Sequence, residues 1–158
     1  MWLPDETFKN VIQYTPLISI DLIVRNEQGE VLLGKRVNAP AKGYWFVPGG
    51  RVRKNETLDD AFVRLVKEEL GIESGTTRAD AKFLGIYEHF YKDCVFDKIT
   101  STHYVVLAYE ILLKSSMNIK YLNGQHNEFN WKEIKDIMGH LEIHNFTKAY
   151  FIKGWKDN

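Results

Sequence analysis

The chain has 158 residues, 44% of them hydrophobic and 13% aromatic, which suits a single globular domain over 1–158, since domains commonly run to roughly 100–200 residues. Its 21 basic and 21 acidic side chains cancel, which leaves no electrostatic footprint for a nucleic acid or a membrane surface but still allows a small anionic ligand. One cysteine, Cys94, excludes an intrachain disulfide and a cysteine-rich zinc site. Residues 1–15 lack the apolar core of a signal peptide, and no apolar run approaches the roughly 20 residues that span a bilayer. The expectation is a soluble, cytoplasmic protein.

In chain order, Asp5–Tyr14 reads as a short helix opened by Pro4-Asp5, where an aspartate near the start can serve as a cap. Leu17 to Asn26 alternates, with Ile18, Ile20, Leu22 and Val24 on one face and Ser19, Asp21 and Arg25 on the other. Glu27-Gln28-Gly29 signals a turn, so Glu30–Val37 is the returning strand of a hairpin. Ala39 to Gly43 reads as a loop, Tyr44–Val47 as a short aromatic strand, and Pro48-Gly49-Gly50 as a loop. A helix from about Thr57 to Leu70 ends at Gly71, with Thr57 or Asn55 as its cap. β-Branched and aromatic residues predict strands at Lys82–Tyr91 and Thr102–Leu113. After a loop at Leu122–His126 come a strand at Glu128–Trp131 and helices at Lys132–Met138 and Asn145–Lys153. Strands interleaved with a few helices predict an α+β fold, a mixed sheet with helices packed against it.

The chemistry concentrates between Gly49 and Ile72. Two glycines permit backbone geometry and close ligand approach that a side chain would obstruct. On the following helix Leu58, Ala61, Phe62, Leu65 and Val66 form an apolar stripe, and Glu69 projects about 20° from Leu58, inside that stripe. Glu68 lies on the flank, one turn above Arg64. A carboxylate on a buried face costs several kcal/mol unless paired, on the order of other buried ions. A structural ion pair or a frayed helix end would meet that need, and so would a hard divalent cation, which takes oxygen ligands.

These residues resemble the Nudix box, G-x5-E-x7-R-E-U-x-E-E-x-G-U with U aliphatic. Gly50, Glu56, Arg64, Val66, Glu68, Glu69, Gly71 and Ile72 stand in register, and Leu65 replaces the first helical glutamate. The resemblance implies an α/β/α sandwich around a mixed sheet, with the box as loop–helix–loop. Leu65 has no titratable group, so either activity is lost or the base lies elsewhere and a different atom is attacked.

Thr15-Pro16-Leu17, Leu33 to Arg36, Gly43 to Val52, His89-Phe90-Tyr91, Thr102 to Leu107 and Gln125-His126 are similar to the Nudix branch of GDP-mannose mannosyl hydrolases, which lacks the same glutamate. That likeness implies hydrolysis of GDP-mannose, with GDP-glucose as a further substrate, by water attack at the anomeric carbon with inversion. It implies Mg²⁺ held by the Gly49 carbonyl, Glu69 and Gln125, with Glu68 not required as a ligand. It makes His126 the general base, a role suited to imidazole near neutral pH. Arg36 and Arg51 match residues that neutralise the diphosphate, and Tyr104 one near the leaving phosphate. Asp21 matches a residue beside the mannose, and His89 a further active-site position. The branch implies a homodimer that takes a small nucleotide sugar, with neither nucleic acid nor membrane as partner. Two other readings remain open at this point: a pyrophosphohydrolase attacking phosphorus, and a silent Nudix module that binds a nucleotide without turnover.

Overall fold

The computed structural model describes residues 2–114, 117, 119, 120 and 126–152, with side chains throughout except at His126 and Asn127. In chain order they form α1 (Asp5–Tyr14), β1 (Leu17–Arg25), β2 (Val31–Arg36), β3 (Trp45–Phe46), β4 (Gly49–Arg51), α2 (Leu58–Leu70), β5 (Lys82–Tyr91), β6 (Thr102–Leu112), β7 (His126–Lys132), α3 (Ile134–Gly139) and α4 (Asn145–Ala149).

One seven-stranded mixed sheet runs in the order β3-β2-β1-β6-β5, with β4 paired to β1 and β7 to β2. β1 and β6 are parallel along their whole length, from Leu17 beside Tyr104 to Arg25 beside Leu112. The β1–β2 and β5–β6 pairs are antiparallel. The expected hairpin forms: Asn26 accepts the backbone N–H groups of Gln28 and Glu30 on Oδ1 at 3.1 and 2.9 Å, and Gly29 takes φ 80°.

β1 corrects the simple alternation. Ile18 is 51% exposed, while Ile20, Leu22 and Val24 pack under α2 with Phe62, Leu65 and Leu70. Ile23, on the face expected to be polar, is buried with Val31, Leu33, Val106 and Ile137 in a second core. A central strand of a sandwich has no solvent face, so both sets of alternate side chains are covered. A third cluster joins α1 to the sheet through Ile12, Leu17 and Cys94.

Local chemistry fixes the ends of α2. Thr57 accepts the Asp60 N–H at 3.1 Å, and Gly71 closes the helix in the left-handed region at φ 66°, donating its N–H to the Lys67 carbonyl at 3.0 Å. By contrast, α1 has no side-chain cap at Pro4. The C-terminal helix is shorter than expected, ending at Ala149. No helix among the described residues is long and apolar enough to cross a membrane.

Gly49-Gly50, read as loop, instead begins β4, pairing Gly49 with Asp21 and Gly50 with Ile20. Neither takes positive φ. Their missing side chains serve packing: a Cβ on Gly49 would meet the Ile20 carbonyl at 2.5 Å and Asp21 Oδ1 at 2.7 Å, and one on Gly50 would meet Leu65 Cδ2 at 2.6 Å. The glycines let β4 lie flat between β1 and α2.

Candidate active site

Strand directions gather the polar residues at one end of the sheet. β1 and β6 start there while β2 and β5 finish there, which brings together Asp21 (β1), Arg36 (β2), His89 (β5) and Tyr104 (β6). A cavity of about 870 Å³ opens at this end, and its lining includes Asp21, Arg36, Gly49, Arg51, Glu69, His89 and Tyr104. Seven site residues expected from sequence thus share one cavity. Gln125 lies outside the described residues. His126 is placed by its backbone, which pairs with Arg36 at the start of β7.

Arginines supply the positive wall. Arg36 lies with its guanidinium 5.7 Å from the Phe46 ring centroid, and its buried Nε makes no hydrogen bond among the described residues. Arg51 stacks on Phe8 of α1 at 3.8 Å, so α1 forms part of the cavity rather than a detached arm. Burial lowers the Arg51 pKa from its ordinary value, with Tyr104 opposing the effect and the charges of Arg53 and Arg64 adding to it. Burial pushes the Tyr104 phenol up, so at neutral pH it carries its proton and can donate it.

The box residues divide into two groups. Arg64 grips Glu56 through Nε and Nη2 at 2.6 and 2.9 Å, donates to Glu68 at 2.8 Å and to the Arg51 carbonyl at 2.9 Å. Arg53 adds a second contact to Glu68 at 3.3 Å. These bonds tie the loop after β4 to α2 and hold Arg51 by its backbone. The hydrogen bonds from Arg64 hold the Glu56 carboxyl down at about 2. Glu69 belongs to the other group: it is 3% exposed within the apolar stripe and also lines the cavity. Leu65 lines it too, 2% exposed and packed in the core under α2.

Asp21 sits at the cavity wall with Oδ2 accepting from the Tyr150 hydroxyl at 2.6 Å. Burial raises its carboxyl to about 6, against the lowering effects of Tyr150 and Arg36. His89, 4% exposed, stacks face to face on Phe146 at 4.3 Å. Burial, reinforced by nearby His144, holds its pKa at about 3, so it is a neutral imidazole at working pH.

Several contributors escaped the sequence reading. Phe8 gave no sign of reaching the cavity, since its helix carries no motif. Phe146 lies in α4 and Tyr150 directly after it, in a segment that carries no motif. The segment packs on the core: Trp45 donates its N–H to the Glu142 carbonyl at 2.8 Å, and Thr147 and Ala149 are buried. The apolar spacing in Phe146, Ala149 and Tyr150 was the available signal for a buried face.

The comparisons with known proteins agree with the fold. A family model described as the NUDIX domain matches residues 15–154. The low-salt glycan biosynthesis protein Agl8 of Haloferax volcanii is 43% identical over 126 residues, 80% of this chain and 76% of that protein. An ADP-ribose pyrophosphatase of Methanocaldococcus jannaschii is 42% identical over 57 residues, covering 36% of this chain and 33% of that protein. Among solved structures, the MutT protein of Methanosarcina mazei Go1 superposes with a TM-score of 0.65 at 23% identity, covering 91% of this chain and 96% of that one, a likeness of fold.

Proposed function

The chain belongs to the Nudix family, and from that premise we propose that it hydrolyses GDP-mannose, and GDP-glucose as a second substrate, to GDP and the free sugar. Leu65 carries this reading. It occupies the box position of a glutamate, is packed in the core and has no group that can activate water for attack on phosphorus. The arginines, Tyr104 and Asp21 nevertheless remain gathered around the cavity. A site built to hold an anionic leaving group without that base suits attack at carbon. The glycan-biosynthesis relative supports a sugar-containing substrate.

Two hard oxygen donors, the Glu69 carboxylate and the Gly49 carbonyl, suit Mg²⁺, which takes few protein ligands and is completed by phosphate oxygens and water. Gln125 joins them by the family resemblance. When bound, the ion would withdraw charge from the diphosphate and make GDP a better leaving group.

The protein's own groups do the rest. Arg36 and Arg51 grip the diphosphate with charge-assisted hydrogen bonds. Tyr104 donates its proton-bearing hydroxyl to an oxygen of the departing phosphate. Asp21 accepts from sugar hydroxyls and stabilises positive character at the anomeric carbon. His126, beside Arg36 in the strand register, takes the proton from water as it attacks the opposite face. The α-linked donor then yields β-mannose. The working unit is one domain that functions as a homodimer in the cytoplasm.

Incubation with GDP-mannose and Mg²⁺ in ¹⁸O-labelled water tests the reading. Label on mannose, with GDP as the other product, is the expected result. Label on phosphate, with GMP and mannose 1-phosphate as products, would move the attack to phosphorus, the activity named for the pyrophosphatase relative. Binding without turnover would make the chain a nucleotide-binding module.

A further inference from the structure

Tyr150 stands behind the cavity wall and is absent from its lining, yet it touches two residues that line it. Its hydroxyl lies 2.6 Å from Asp21 Oδ2 and 3.3 Å from His89 Nε2. A phenol has one proton. The short contact to the carboxylate uses it, so the contact to His89 is a hydrogen bond only if Nε2 carries hydrogen and donates to the phenol oxygen. The direction of the chain is thereby set: His89 to Tyr150 to Asp21.

The surrounding packing holds each member in place. Phe146 lies flat on His89 with an interplanar angle of 3°, and Tyr150 meets Tyr87 edge to face at 4.7 Å. α4, which precedes Tyr150, is held by the Phe146 N–H on His144 Nδ1 at 3.2 Å, and the His144 ring stacks on Phe46 in the cavity wall at 4.8 Å. The partners of the chain come from opposite ends of the sequence, so Asp21 is aimed only once the C-terminal segment has docked.

We infer that Tyr150 is a positioning residue for Asp21: its hydroxyl fixes one carboxylate oxygen, His89 fixes the hydroxyl, and the other carboxylate oxygen is left for the substrate. This rests on the catalytic place proposed for Asp21. Geometry of this kind is worth much in rate, because a misplacement of about 1 Å can cost on the order of 100-fold.

Tyr150→Phe keeps the ring and its packing, so a melting temperature near that of the parent checks that the fold is intact. The expected result is a kcat lower by about 10- to 100-fold with KM changed less than about twofold. In an Asp21→Ala background the same change should cost less than about twofold, because a residue that acts through Asp21 has nothing left to position. An equal loss in both backgrounds overturns the inference. Nitrogen NMR of the parent at neutral pH should show the His89 hydrogen on Nε2, and a hydrogen on Nδ1 overturns the chain's direction independently of activity. If Asp21→Ala leaves turnover unchanged, the catalytic place of Asp21 fails, while the tautomer still decides the hydrogen-bond chain.

Discussion

Replacing Arg64 with Met tests how the box loop is held. The change removes a forked ion pair to Glu56, a bond to Glu68 and a bond to the Arg51 carbonyl, while most of the aliphatic stem remains. Glu56, 14% exposed, is held at about 2 in the fold against an ordinary value of 4.5. At about 1.4 kcal/mol per unit that displacement corresponds to about 3 kcal/mol, and solvent reaching the pair screens it to about 1–2 kcal/mol. The folded pKa is depressed, so this stabilisation is fully present above about 4.5 and is lost as pH falls through about 2. Urea unfolding of parent and variant at pH 7, 5 and 3 should therefore show the variant less stable by about 1–2 kcal/mol at neutral pH, with the gap narrowing at pH 3. A gap that stays constant with pH, or one below about 0.5 kcal/mol throughout, would refute the role given to the pair. Because Arg64 also holds the Arg51 carbonyl, the variant should bind GDP more weakly even where it remains folded, as titration calorimetry would reveal.

Three other outcomes follow from the same geometry. Gly49→Ala forces a Cβ against the Ile20 carbonyl and Asp21 Oδ1, so it should cost about 1–3 kcal/mol in denaturant unfolding and depress turnover; parent-like stability would show that β4 is not tightly seated. His126→Gln should lower kcat by about 100-fold or more while calorimetric GDP affinity stays near that of the parent, and unchanged turnover removes it as the base. His89 has a folded pKa depressed to about 3 from 6.5, so the unfolded chain binds more protons in that window and stability rises with pH across it. His89→Phe should flatten that acid limb, and an unaltered limb would assign the acid sensitivity to other groups.

The sequence alone determined the features that depend on near neighbours. Thr57 caps α2, Gly71 ends it, the turn at Gly29 forms and β5 runs from Lys82 to Tyr91, because capping bonds, left-handed glycine and β-branched periodicity are set within a few residues. The box spacing also placed Glu69 on the buried face of α2, since a helix of known pitch fixes which side chains share a side. Only the tertiary structure decided the rest. Gly49-Gly50 reads as loop until Asp21 lies opposite it. Ile23 reads as a lapse in a polar face until a second layer covers it. Tyr150 has no local mark of function, for its partner Asp21 lies 129 residues away along the chain. Contacts of that range depend on how the layers stack. The sequence pattern indicates which faces are apolar, but which segment covers a face emerges only when the sheet, α1 and α2 close around the cavity and the C-terminal helix packs behind it.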